Sequence, residues 1–336
     1  MNWAEQWLNR SQWLKDKYLK EHYLVAEAVL HALSDPSPRV DLPLPYADMD
    51  EFIRALLDLE KIAGKNLFHP QQPNVTPIWR TWLNLSHPNG RIREQTLHTL
   101  PARIPSTLYA ILVLLRLNDW AIPVRAAVRC RLADFAAVTD PRHLAAALTH
   151  TLRHWTNWRR MQAAERQNAL AVLLNDNVVT KLVTILARSP AGPMIGLLSQ
   201  LGQIAAIDPH LPYLAAQAIQ PALRAKAYQS LLSGKTTWVA GKEQEWIERR
   251  HNLYRWRTHL DSRPLTITVE HNHTLQQAAA DRSPIVRRVA ADAIIAALPH
   301  LGPCEQHLAA RLAADPNRSV AERGACILRH GAVIPN

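Results

Sequence analysis

Two stretches of the chain combine tryptophan with arginine. LRHWTNWRRMQ, residues 152–162, holds Trp155, Trp158, Arg159 and Arg160; EWIERRHNLYRWRT, residues 245–258, holds Trp246, Arg249, Arg250, Arg255, Trp256 and Arg257. A guanidinium grips a carboxylate or phosphate at two points, and an indole supplies stacking or a contact anchor. The chemistry these residues suit is recognition. Trp155, Arg159, Arg160, Trp246, Arg249, Arg250, Arg255, Trp256 and Arg257 are therefore the candidate partner-binding set. At Trp158 and Trp256 the apolar phase of the surrounding pattern also suits core packing.

Other constellations carry less. Gly234-Lys235-Thr236 has the ending of a phosphate-binding loop, but Gln229 stands where the first glycine belongs and the preceding LRAKAYQSLL is helical where a strand is required. A helix-ending turn explains Gly234. His251, His271 and His273 invite a metal; alternation in an extended segment would put His271 and His273 on one side and Glu270 on the other. Two imidazoles do not make a site, and an exposed loop accounts for them. No Ser, His and acid arrangement or nucleophile elbow is legible, so catalysis has no positive support and no cofactor is expected.

The chain has 336 residues, 48% hydrophobic and 20% charged, with 10 Gly and 23 Pro, a composition of folded helices separated by proline-marked turns. A formal charge of +11 favours acidic partners: nucleic acid, anionic membrane or an acidic protein surface. The start, MNWAEQWLNRSQWLKDKYL, lacks the compact apolar core of a signal peptide, and the longest apolar run, TLYAILVLLRL at 107–117, is too short to cross a bilayer. These features predict a cytoplasmic chain off the membrane. Cys130, Cys304 and Cys326 have no metal-like spacing and read as buried small hydrophobes without a disulfide.

Positioning elements emerge from an internal repeat. Val286-Arg287 in DRSPIVRRVAADAIIAALP aligns with Ile92-Arg93, Val124-Arg125 and Leu223-Arg224, and more weakly with Trp158-Arg159, Trp256-Arg257 and Val320. A further unit fits around MIGLLSQLGQIAA. Spacings of about 30–35 residues with apolar residues at helical intervals describe stacked helix pairs. Asp119 and Asp281 stand where a carboxylate can cap a helix, and Pro123 and Pro284 suit a first turn. Val286, Val289, Ala290, Ala293, Ile294 and Ala297 make one apolar face, which a lone helix pair could not cover.

An Asp, then a Val-Arg pair, then small residues resembles the HEAT-repeat family of α-solenoids. The likeness covers about residues 80–235 and 276–330. It implies an all-α, right-handed solenoid of about seven or eight helical hairpins. It also implies a ladder in which Asp119 with Arg125, and Asp281 with Arg287, hydrogen-bond between repeats. Asp315 lacks its arginine, Ala321 standing there, and His87 replaces the aspartate before Arg93, so an incomplete ladder is expected.

Two regions break the pattern. Residues 1–80 read as an N-terminal helical cap and proline-rich linker. After repeats over 81–235, residues 236–275 form a Trp/Arg-rich insertion, read as a helix followed by a strand-like run from Leu265 to Val269, before repeats resume over 276–336. Insertions on a rigid array concentrate function. The leading expectation is a non-enzymatic scaffold that grips an acidic protein on the concave face of the array. The alternative is nucleic-acid binding, since some bacterial DNA glycosylases are built from HEAT-like repeats; no motif here aligns a catalytic Asp.

Overall fold

The structure is a computed structural model and describes residues 81–82, 84–87, 89–298 and 301–331. The expected cap and linker at 1–80 lie outside the described residues. Among those described, thirteen α-helices dominate: α1 (Gly90–Thr99), α2 (Thr107–Leu115), α3 (Ile122–Val138), α4 (Pro141–Thr151), α5 (Ala163–Leu173), α6 (Asp176–Arg188), α7 (Met194–Leu201), α8 (Leu211–Gln217), α9 (Pro221–Ser233), α10 (His271–Ala279), α11 (Pro284–Ala296), α12 (Pro303–Ala313) and α13 (Arg318–Gly331). Between α9 and α10 run two strands, β1 (Lys235–Glu248) and β2 (Leu253–Pro264). The chain divides into two compact units, residues 1–102 with 112–131, and 103–111 with 132–336.

In the first unit Trp82, Leu85, Leu97, Leu114, Leu117 and Val124 are buried. Asp119 organises the entry to α3: its carboxylate accepts the N–H of Ala121 at 2.8 Å, and the helix begins one residue later. Short-range acceptance of this kind fixes a turn before any helical bond forms.

The second unit repeats that device. Asp281 accepts from Ser283 N at 2.7 Å ahead of α11, and Asp315 accepts from Asn317 N at 2.8 Å ahead of α13. The N-cap of α11 is thus Ser283, with Asp281 two residues outside the position expected of a cap. On α11 the buried residues are Val286, Ala290, Ala291 and Ile294, a stripe at helical spacing. Helices α8 with α9, α10 with α11, and α12 with α13 pack as pairs; the second members stack α9 on α11 on α13, and α10 packs on α12. Gly324 permits the tightest approach, because an added Cβ would overlap the backbone of Leu312 and Ala313.

Residues 235–264 are an antiparallel β-hairpin, which corrects the helix expected there; Leu265 to Val269 are not a strand. The side chains explain it. Thr236, Thr237, Trp238, Val239, Tyr254, Trp256 and Thr258 favour a pleated surface, and Tyr254, Trp256 and Thr258 recur with period two. Asn252, at φ 54°, closes the turn in the left-handed region that asparagine tolerates better than most residues.

The cysteines also depart from expectation: Cys130 is exposed, and Cys304 and Cys326 are half-buried. Cys130 falls off the buried stripe of α3 made by Val124, Ala127, Val128 and Leu132.

Candidate functional site

An isolated two-stranded ribbon is marginal in water, so the hairpin needs anchors. Its proximal half has them. Trp238 is buried, Thr236 donates its hydroxyl to Gly202 O at 2.9 Å, Gln200 donates to Val239 O at 3.3 Å, and Lys226 Nζ donates to Thr237 Oγ1 at 2.7 Å. The strongest tie is ionic. Arg263 grips both oxygens of the fully buried Asp208 at 2.8 and 2.7 Å and also donates to Ile204 O. Thr266 adds its backbone N–H and hydroxyl to Asp208. Burial pushes the Asp208 pKa up, but the bonds from Arg263 and Thr266 prevail and hold it below the usual carboxylate value.

Beyond Gly241, where the register shifts, the ribbon leaves this support. Every residue from Leu253 to Ser262 is exposed. The register pairs Trp246 with Tyr254 and Gln244 with Trp256, so one face carries three rings in edge-to-face contact, with centroids 5.6 and 6.0 Å apart along the row. Trp256 is 61% exposed, Tyr254 42% and Trp246 41%. On the other face Arg255 donates to Glu245 at 2.6 Å, and Arg257 pairs in register with Glu243. Arg255 and then Arg257 hold Glu245 below its ordinary pKa. Arg249 and Arg250 are exposed in the turn, beside a His251–Glu248 contact at 2.8 Å.

The second expected cluster does not form one surface. Trp155 is buried, 2% exposed, with its Nε1 donating to Met161 Sδ at 2.9 Å, and Trp158 packs against it with centroids 5.4 Å apart. Both indoles are core, which removes Trp155 from the partner-binding set; Arg159 and Arg160 remain exposed. Trp158-Arg159 also drops out of the repeat alignment. Those residues precede α5, whose fourth residue is Arg166, as Arg93, Arg125, Arg224 and Arg287 are the fourth residues of α1, α3, α9 and α11. A longer connection before α5 displaced the register. Trp256-Arg257 drops out because it lies on β2, and exposure overturns the core reading of Trp256.

The ladder exists with different partners. Arg125 donates to the backbone O of Asp119 at 2.7 Å, and Arg287 to that of Asp281 at 3.0 Å; neither bonds the carboxylate six residues before it. Each carboxylate receives instead the arginine of an earlier helix. Arg93 reaches Asp119 at 2.9 and 2.7 Å, Arg224 reaches Asp281 at 2.8 and 2.8 Å, and Arg287 reaches Asp315 at 2.5 and 2.8 Å. Arg93 also covers the Trp120 ring, 5.3 Å from its centroid. Asp315, expected to lack an arginine, has one.

His271 and His273 lie in the first turn of α10 rather than on an extended strand; Gln277 Nε2 sits 2.9 Å from His273 Nε2. Among the described residues no group of three or more His, Cys, Asp or Glu is placed to hold a metal ion. Gly234 ends α9 with φ 67°, the helix-ending turn expected of it. No single helix among those described is long and apolar enough to cross a membrane.

Fold and site together define a mainly helical protein carrying an anchored, two-stranded β arm. No family model, curated protein or solved structure matches the chain.

Proposed function

We propose that this protein is a non-enzymatic interaction scaffold, a HEAT-like stack of helical repeats that captures an acidic protein partner through the β arm. The observation that carries this reading is the arm's distal half, which is solvated on both faces yet presents Trp246, Tyr254 and Trp256 as one aromatic row. Exposed contiguous aromatic surface marks interaction sites, and Trp, Tyr and Arg dominate interface energetics. The recurrence of arginine at the fourth residue of α1, α3, α5, α9 and α11 supports the repeat reading.

A protein partner suits the arm better than a polyanion. Glu243, Glu245 and Glu248 interleave with the arginines, and Arg255 and His251 are already engaged by Glu245 and Glu248. Acids placed there would repel a phosphate backbone, whereas Arg249, Arg250 and Arg257 are matched to scattered carboxylates.

Photocrosslinking in the native host tests the reading. With p-benzoylphenylalanine at position 256, the expected product is a discrete, nuclease-resistant protein adduct. It is absent when the probe replaces the exposed Lys181 and falls severalfold when Trp246→Ala is added. An adduct that nuclease removes, or equal labelling at both positions, refutes the proposal.

A further inference from the structure

We infer that the outer edge of β2 takes up an extended segment of the partner as a third strand, one in which acidic and apolar residues alternate. The inference deepens the acidic-partner reading of the arm and rests on it.

The two strands of the arm have different edges. Both register shifts add their extra residue to β1, Ala240 at one and Ile247 at the other, and β1 is the strand that packs on α7 and α9. Bulges and cover are devices that close an edge to pairing. On β2 there is no bulge; from Leu253 to Ser262 there is no proline or lysine, and every side chain is exposed.

The phase of the hydrogen bonds shows which groups stand on that edge. Leu265 N donates to Gly234 O at 2.9 Å, directly beyond the Lys235–Pro264 pair, so Leu265 faces β1 and Pro264, which has no N–H, faces away. Alternation along β2 then turns the N–H and C=O of Tyr254, Trp256, Thr258 and Leu260 outward. Ser262 is next in that row, and its N–H is taken by Asp261 Oδ1 at 2.8 Å, which ends the open stretch. Among the described residues no strand pairs with this edge. An unpaired row of this kind is a template for another chain.

Charge decides what it accepts. Glu243, Glu245 and Glu248 all stand on β1, whereas β2 from Leu253 to Leu260 carries Arg255 and Arg257 and no acid. The arm is therefore acidic along its inner strand and basic along its open one. The inner strand also shows what suits β2 as a neighbour. Glu245 lies opposite Arg255 and bonds it at 2.6 Å, while Gln244 and Trp246 lie opposite Trp256 and Tyr254. A third strand meets the same two rows from the other side. Carboxylates beside Arg255 and Arg257, and apolar side chains beside Tyr254, Trp256 and Leu260, match both rows, since cross-strand neighbours interact pairwise. Main-chain bonds supply affinity and the alternation supplies selectivity. The β1 of a second copy, though acidic, packs on its own helices and is broken by bulges, so it offers no matching edge.

The test is fluorescence anisotropy of labelled peptides titrated with the full chain. The probe is fluorescein-labelled Glu-Val-Glu-Ile-Glu-Val-Glu. It is set against a peptide with lysine for every glutamate, a peptide of the same composition with its acids in one block, and two N-methylated forms, one methylated at the apolar residues and one at the acidic residues. Because alternate residues of a strand face its neighbour, one N-methylated form is expected to bind like the parent and the other at least about tenfold more weakly, as are the lysine and block peptides. With the parent peptide bound, amide exchange over residues 254–260 is expected to slow. Thr258→Pro removes an outward N–H while sparing the bonds to β1, and is expected to lose the peptide. Equal binding of the two N-methylated forms, equal binding of the block peptide, or unchanged exchange over 254–260 overturns the inference. So does self-association of the chain that Thr258→Pro abolishes. Because the wild-type chain carries the peptide measurements, misfolding of a variant cannot mask the answer. Failure of edge pairing with an intact crosslink at position 256 rejects the third strand alone; edge pairing without that crosslink rejects the partner reading of the arm.

Discussion

Arg224 on α9 and Asp281 ahead of α11 stand 57 residues apart in sequence and share a two-point ion pair, 2.8 Å at each contact. The whole β arm lies between them. Helix α9 packs on α11 across the insertion, as α11 packs on α13 where only α12 intervenes. The arm is therefore spliced into a connection without interrupting the stack beneath it.

Arg224 is 1% exposed and Asp281 10%, so removing one partner leaves a buried charge uncompensated. Arg224→Met is expected to destabilise by about 3–5 kcal/mol, with the Arg224→Met, Asp281→Asn double variant less affected than the sum of the singles. Urea unfolding of the four proteins measures the coupling; strict additivity contradicts a direct pair.

Under the proposed function the arm's distal half serves recognition and adds little to stability. Replacing residues 242–258 with Asn-Gly, a two-residue hairpin turn, keeps Trp238, Arg263 and their contacts. The expected melting temperature lies within a few degrees of the parent, because among the described residues no buried side chain is lost. Calorimetry checks this, and a large drop assigns the distal arm a structural role.

Gly324 faces the backbone of α12 with no room for a methyl group. Gly324→Ala is expected to destabilise by roughly 1–3 kcal/mol despite the higher helix propensity of alanine, since overpacking outweighs propensity here. The sign of the change in urea midpoint decides between the two effects.

Acid should loosen the arm. The folded-state pKa of Asp208 lies below its ordinary value of 3.8, so its bond to Arg263 contributes fully above that value and is lost as pH falls through the folded pKa. Asp315 behaves alike because Arg287 holds its carboxyl down. Amide exchange in residues 262–266 is expected to accelerate more steeply below pH 4 than exchange in α6, and Asp208→Asn should remove most of that difference.

Particular residues show how far the sequence reaches. Ile92-Arg93, Val124-Arg125, Leu223-Arg224 and Val286-Arg287 are recoverable from spacing alone, because a helix face imposes a local period that side-chain types record directly. All four fall at the third and fourth residues of their helices. Proline at the first turns and glycine after α9 are equally local signals. The arm is also legible as a break in that period, and Tyr254-Arg255-Trp256-Arg257-Thr258 carries the alternation of a strand.

Pairing lay beyond that reach. Which aspartate Arg287 meets and that Arg263 plugs Asp208 depend on residues brought together from 28 and 55 positions apart, and that Trp155 is buried while Trp256 is exposed is likewise decided by packing. Periodicity says that a helix has a buried face, not which neighbour covers it. The local pattern determined helices, turns and the place of the insertion; only packing decided that tryptophan is core in one arginine-rich stretch and exposed surface in the other.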